Sequence, residues 1–327
     1  MKGKKYLTGD RPTGPLHLGH YVGSLKNRVD LQNDGCEGFI IIADYQVVTD
    51  RFETEDVEKN IYELVKDYIS VGIDPKKTPI FVQSQIPELA ELTMVLSMLV
   101  TVPQLERNPT VKEEAKAMGV SKKMSAGMFV YPVSQAADIL LLKADFVPVG
   151  EDQAPHIELT RDVANRFNKT FGEVFPVPKI VLSDYPRLLG LDGNQKMSKS
   201  RGNAINLSDD AKTVEKKLKK AVTDSKGKVA YDPKEQPEVS NLLTMMAIVT
   251  GKSEKDLVKN FKGKGYGVLK TEVADAVNAF LDPIRKKRAK VTDAQVKKIL
   301  KDGAARVREI GGKTMGDVRN AMKFEYK

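Results

Sequence analysis

Two short stretches of this 327-residue chain carry residue types spaced for chemistry. The first is Thr8-Gly-Asp-Arg-Pro-Thr-Gly-Pro-Leu-His-Leu-Gly-His20, a Pro/Gly loop that opens a helix and gathers His17, Gly19 and His20. Two imidazoles and a position without a side chain suit a phosphate there, because free backbone N–H groups and the helix dipole both favour an anion at a helix start. The loop is not a P-loop: Gly9 and Gly14 have its glycine spacing, but Pro15 stands where its lysine is needed. A dinucleotide G-x-G-x-x-G is absent as well. Histidines at i and i+3 also begin a zinc site, but no Cys pair or nearby third His completes one, so no resident metal is expected. A turn with two surface histidines is the plainer alternative.

The second stretch is Lys196-Met-Ser-Lys-Ser200, bracketed by Gly193 and Gly202. Lysines three apart on a glycine-flanked loop can close around a polyphosphate and neutralise charge developing on a leaving pyrophosphate. Taken alone, such a loop is equally a piece of solvated surface. A third candidate is Asp138, set among apolar neighbours in Ala136-Ala-Asp-Ile-Leu-Leu141. An ionised carboxylate there must find a donor or bear a desolvation penalty. An indole N–H, a donor-only group, would meet that need, as would a helix cap or an ion pair.

These residues need a scaffold, and the pattern before residue 190 predicts one. Short β-branched and aromatic runs at Lys5–Leu7, Phe39–Ile42, Ile80–Val82 and Phe146–Val149 read as strands. Between the second and third, Val57, Ile61, Leu64, Val65, Tyr68 and Ile69 recur at helical spacing. The rhythm is that of an α/β Rossmann-like parallel sheet with helices on both faces, whose ligands lie beyond the carboxyl ends of the strands. From about 206 helix formers dominate, with Lys216–Lys220 on one candidate helix and Arg285–Lys290 on another after Pro283. The expected division is a catalytic domain over 1–190 and a mostly helical one over 204–327, whose last helix packs back on the first.

Charge follows the same division. Residues 1–195 hold 22 Lys/Arg against 27 Asp/Glu, whereas 196–327 hold 31 against 17. A basic second part suits a polyanion, nucleic acid first, although a lysine-rich soluble surface has the same composition. No apolar run approaches the roughly 20 residues of a membrane span, and no secretory signal opens the chain. One cysteine, Cys36, forms no internal disulfide, so a reducing cytoplasm is the expected compartment.

Together, and in this order, the two stretches resemble the HIGH and KMSKS motifs of class I aminoacyl-tRNA synthetases; Lys196–Ser200 matches the second letter for letter. The chain is most similar to the tryptophanyl-tRNA synthetases, through Gly9–Gly23, Gln83–Ile86, Tyr131–Leu141, Val147–Asn168, Gly190–Ser200, Ser240–Thr244 and Gly263–Lys270. The resemblance implies attack of the tryptophan carboxylate on the α-phosphorus of ATP, whose Mg2+ is held mainly by the phosphates, and then attack of the terminal ribose hydroxyl of tRNA(Trp) on the adenylate, which takes the tryptophanyl group and releases AMP, in a homodimer. A carboxylate is already an ionised nucleophile, so no general base is called for; positioning and charge stabilisation carry the rate.

The resemblance also distributes roles. His17, His20, Lys196, Lys199 and, in the Arg107–Lys112 segment, Lys112 would act on the phosphates. Arg11, Pro12, Thr13, Gly19, Gly150, Glu151, Asp152, Leu188, Met197, Ser198 and Ser200 would complete the ATP site, with Asp152 on the ribose. Asp138 would take the indole, Tyr131 and Gln153 the amino group, and Leu7, Gln46, Gln135, Val147 and Val149 would line the pocket. The chain departs from the commonest bacterial pattern at Asp10-Arg11, His20, Gln46 and Gln135, where Ile-Gln, Asn, His and Met are usual. Gln135 is expected to orient Asp138 through a hydrogen bond. A tyrosyl-tRNA synthetase, a small nucleotidyltransferase and a non-catalytic RNA-binding paralogue remain alternatives.

Overall fold

The structure is a computed structural model that describes residues 1–49, 52–117, 124–150, 153–182, 188–198 and 201–326. Five strands form one sheet: β1 (Lys5–Asp10), β2 (Glu37–Ile42), β3 (Ile80–Val82), β4 (Phe146–Val149) and β5 (Lys179–Leu182). Their order is β3-β2-β1-β4-β5 and every neighbouring pair is parallel, with Leu7 opposite Phe39, Ile40 opposite Ile80 and Tyr6 opposite Phe146. The expected strands do not include β5, a four-residue edge strand whose Lys179 and Leu182 are exposed and whose apolar run, Ile180–Leu182, is as short as that of β3.

Alternation along the strands divides the interior. Ile40 and Ile42 of β2 face one apolar core, and Phe39 and Ile41 face the other. The first core includes Ile61, Leu64, Val65 and Tyr68 of the Val57–Val71 helix, where helical periodicity placed them. It continues without a break into Val273, Val277 and Leu281 of the helix Tyr266–Arg288 and Val296 of the last helix, Asp293–Met322. The second core collects the helices Pro87–Ser97, Ala126–Leu141 and Ala154–Phe171. Each fully buried aliphatic side chain contributes about 1.5–3 kcal/mol.

Among the described residues no strand follows Leu182. The helix expected after Pro283 instead runs through it, from Tyr266 to Arg288. The last helix lies back across the sheet. A Cβ at Gly303 would stand 1.9 Å from the Ile80 carbonyl oxygen, so only glycine lets this helix sit so close to β3. Ion pairs at Arg319–Glu91 (2.5 Å) and Lys143–Asp317 (2.7 Å) tie its far end to the helices beneath.

Candidate active site

The strand order reverses between β1 and β4, because the chain steps outward from β1 to β3 and then crosses back to β4. Loops leaving the carboxyl ends of β1 and β4 diverge and open a crevice. A cleft of about 1510 Å³ lies there, lined by residues of the His17–His20 turn, the Lys196 loop, the Ala126–Leu141 helix and the loop after β4.

At its phosphate-suited end, the helix Leu18–His20 passes directly into a π-helical turn, Tyr21–Leu25, and then into Lys26–Asn33. Such turns are rare and favour functional sites; this one presents Gly23 and Ser24 to the cleft. The His17 backbone N–H donates to Nδ1 of His20 at 3.2 Å, and the two rings lie 3.7 Å apart. With Nδ1 accepting, the other nitrogen of the His20 ring, Nε2, carries the proton, which makes it a donor.

Asp10 anchors this helix to β1. Arg28 Nη1 and the Tyr68 hydroxyl both donate to Asp10 Oδ2 at 2.7 Å, and Arg28 Nη2 donates to the Gly9 carbonyl at 3.2 Å. Burial alone would raise the Asp10 pKa; the Arg28 guanidinium and these hydrogen bonds outweigh it and hold the carboxyl well below the usual range. The departure at Asp10 therefore has a structural use, and Arg11 beside it lines the cleft.

The second motif meets the first through backbone. Leu189 pairs antiparallel with Lys196, and the Ser198 N–H donates to Asn203 Oδ1 at 2.9 Å, which shapes the loop. Just beyond it, His17 bridges Asn206, the Leu18 N–H donates to Ile205 O, and the Leu207 N–H donates to Leu16 O, both at 2.9 Å. Gly19 lies at the contact: a Cβ there would sit 3.0 Å from His17 Nδ1 and 3.4 Å from Met197 Cβ. Lys196 is exposed and lines the cleft, whereas Lys199 and Ser200 lie outside the described residues.

The helical part braces both strands of this patch. Fully buried Asp67 accepts the Leu16 N–H at 3.1 Å and Arg288 Nε at 2.7 Å, and Arg288 also pairs with Glu63. Burial pushes the Asp67 pKa up against the pull of Arg288. On the other side, Arg285 Nη1 donates to Asp209 O at 3.0 Å, and Lys217 donates to Ala204 O at 2.9 Å and to Asp209 Oδ2 at 2.6 Å. Three cations expected to face nucleic acid, Lys217, Arg285 and Arg288, thus serve the fold. Lys216, Lys219, Lys220, Lys286, Lys287 and Lys290 stay exposed.

The opposite end of the cleft is built by burial. Asp138 is 5 % exposed, and Gln83 Nε2 lies 2.9 Å from both of its oxygens. Burial pushes the Asp138 pKa up to about 8, the Gln83 hydrogen bond pulls it down, and the Asp44 charge adds a smaller upward push. The partner is Gln83 rather than the expected Gln135, which lines the cleft without bonding Asp138. Gln83 follows β3 directly, where the carboxyl-end rule points, but an uncharged glutamine offers no signal in composition or spacing.

Of the residues singled out in the sequence, the cleft gathers Leu7, Arg11, Thr13, His17, Gly19, His20, Gln46, Tyr131, Gln135, Asp138, Val147, Val149, Gly150, Gln153, Leu188, Lys196, Met197 and Ser198. Glu151 and Asp152 lie outside the described residues. Pro12 is buried and shapes the loop without reaching the cleft, and Lys112 is exposed with its neighbour Glu113 facing the cleft instead. Successive helical side chains point about 100° apart, so only one of the two can face inward. His156 also lines the cleft; no motif marks it, and its only signals in the sequence are that it is the chain's third histidine and sits three residues after Gln153.

A parallel sheet with this crevice, and two phosphate-suited turns meeting at it, defines a class I aminoacyl-tRNA synthetase fold. The family model of class I tRNA synthetases (W and Y) matches residues 2–282, and the chain belongs to that family. Within it, the chain is 44 % identical over 333 residues to the tryptophan–tRNA ligase of Streptococcus pyogenes serotype M3, spanning 98 % of each. It is 45 % identical over 331 residues to that of Clostridium longisporum, spanning 98 % of this chain and 97 % of the relative. A crystal structure of Campylobacter jejuni tryptophanyl-tRNA synthetase complexed with ADP and tryptophan superposes with a TM-score of 0.85 at 33 % identity, covering 98 % of this chain and 99 % of the other.

Proposed function

We infer that the chain activates L-tryptophan with ATP, forming tryptophanyl-adenylate and pyrophosphate, and transfers the amino acid to tRNA(Trp). The observation that carries this is the single cleft in which the His17–His20 turn and the Lys196 loop stand at one end and the buried Asp138–Gln83 pair at the other. The phosphate end supplies donors where charge grows as pyrophosphate leaves, and one well-placed donor of this kind is worth about 10²–10³ in rate. Mg2+ would arrive on the triphosphate and lower the charge the protein must neutralise; among the described residues no group of three His, Cys, Asp or Glu is placed to hold a metal ion.

Asp138 is the acceptor for the indole N–H. Tyr131 and Gln153 line the same cleft and take the amino group, while Leu7, Val147 and Val149 pack the ring. Lys199, with Lys196, holds the pyrophosphate, and Asp152 holds the ribose. The exposed lysines of 204–327 contact tRNA phosphates and give a salt-dependent affinity. Exposed Met94, Met98 and Val102 supply apolar surface for a homodimer. No described helix is long and apolar enough to cross a membrane, and the single thiol, Cys36, is free, in keeping with a cytoplasmic enzyme.

The test is ATP–pyrophosphate exchange with each of the twenty amino acids, without tRNA. Exchange with tryptophan alone is expected. Exchange with tyrosine instead would overturn the reading of the pocket around Asp138. The chain contains no tryptophan, so fluorescence of the bound amino acid reports occupancy without an indole background.

A further inference from the structure

His156 belongs to no motif, yet it is 1 % exposed and fully engaged. It stands in the first turn of the Ala154–Phe171 helix, three residues after Gln153, and lines the cleft. Its Nε2 lies 3.0 Å from the Tyr131 hydroxyl, and the two rings meet edge to face with centroids 5.3 Å apart. Its Nδ1 lies 3.3 Å from Nδ2 of Asn108.

The direction of these bonds follows from Asn108. Its carbonyl oxygen accepts the backbone N–H groups of Thr110 at 3.1 Å and Val111 at 3.4 Å. A flipped amide would set its NH2 group against two backbone donors, so the NH2 group is the one that faces His156. Nδ1 must then accept, the ring proton must sit on Nε2, and Nε2–H donates to the Tyr131 oxygen. A tyrosine hydroxyl that receives this bond has its own proton turned away from the imidazole.

We propose that His156 is a positioning residue for the amino group of the amino-acid substrate, acting through Tyr131, with Asn108 selecting the required tautomer. The proposal rests on the functional reading above, in which Tyr131 and Gln153 receive that amino group. An ammonium is donor-only and needs oxygens held in place. His156 holds the Tyr131 oxygen from behind, and the helix that carries His156 is entered at Gln153, so one rigid element sets both contacts. Asn108 lies just before the helix Pro109–Ala117, which ties the tautomer to the segment that brings Glu113 to the cleft.

The test is pyrophosphate exchange on His156→Phe, which keeps the edge-to-face contact and removes the donor, and on His156→Gln, whose amide restores a donor. For His156→Phe the KM for tryptophan should rise about tenfold, the loss expected for one hydrogen bond aimed at a charged group, with kcat and the KM for ATP within about twofold. The inhibition constant of indole-3-propionate, which lacks the amino group, should stay unchanged, and His156→Gln should recover most of the loss. In a Tyr131→Phe background, His156→Phe should add little, because the oxygen it positions is gone. A parallel weakening of indole-3-propionate or ATP, or a full additive loss on Tyr131→Phe, would overturn the proposal and leave His156 a packing residue. Wild-type chain assayed alongside separates the two readings. Absence of its tryptophan-dependent exchange overturns the ligase reading and this proposal with it, whereas normal exchange by both wild type and His156→Phe overturns only the role of His156.

Discussion

On the proposed function, the two ends of the cleft solve opposite problems with opposite materials. Around Asp138 the walls are helix and strand, the carboxyl is buried and held by one amide, and burial has pushed its pKa up to about 8. Around His17, His20 and Lys196 the site is made of turns, with an exposed lysine and a glycine where the two motifs touch. Selecting a neutral ring with one N–H needs a rigid, dry pocket, in which an unmet hydrogen bond is expensive. Stabilising a departing pyrophosphate needs mobile cations and backbone donors that keep their solvent until the substrate arrives. Rigidity serves the first task and loop structure the second.

The largest expected effect separates the two ends cleanly. Lys196→Ala should lower kcat for tryptophan activation about 10²–10³-fold with little change in the KM for tryptophan, measured by pyrophosphate exchange. An equal loss in tryptophan binding would erase the distinction. Asp138→Ala should do the reverse, raising the KM for tryptophan about 10²-fold by leaving both the indole N–H and the Gln83 amide without a partner. Its KM for ATP should hold.

The raised Asp138 pKa sharpens the contrast through pH. An indole N–H favours the ionised carboxylate, so binding draws the proton off, and affinity should climb as pH rises toward about 8 and level above it. A several-fold fall in the tryptophan KM between about pH 6.5 and 8.5, absent in Asp138→Asn, is the expected titration. The smallest effects concern the two glutamines. Gln83→Leu should raise the KM for tryptophan roughly tenfold, whereas Gln135→Met should leave it within about twofold, because Gln83 alone of the two bonds Asp138. Equal effects would return the orienting role to Gln135.

The legibility of these regions differs in the same way. The end of the cleft at His17 and Lys196 was legible because its residues are local in sequence: His17, Gly19 and His20 fall within one turn, and Lys196 to Ser200 within one loop. The Asp138 end was legible only at its charged member. Asp138 signalled itself as a carboxylate among apolar neighbours, but the value of Gln83 and His156 arises only from what lies opposite them. The cations of the helical part misled for a related reason. Lys217, Arg285 and Arg288 look alike in sequence to the exposed lysines beside them, and burial against Asp209, Asp67 and Glu63 is what sets them apart.

What the sequence determined by itself is therefore what depends on neighbours along the chain: the strand runs, the helical faces, the two motifs and the asymmetry of charge. Periodicity and spacing encode these directly, since a helix or a turn is built from residues a few positions apart. What only the tertiary structure decided is every pairing across the fold. The backbone patch joining Leu16–Leu18 to Ile205–Leu207, the reach of Arg288 through Asp67 to the Leu16 N–H, and the tautomer of His156 belong to this class. Each depends on bringing together groups distant in the chain, and hydrogen-bond direction exists only once both partners are in place.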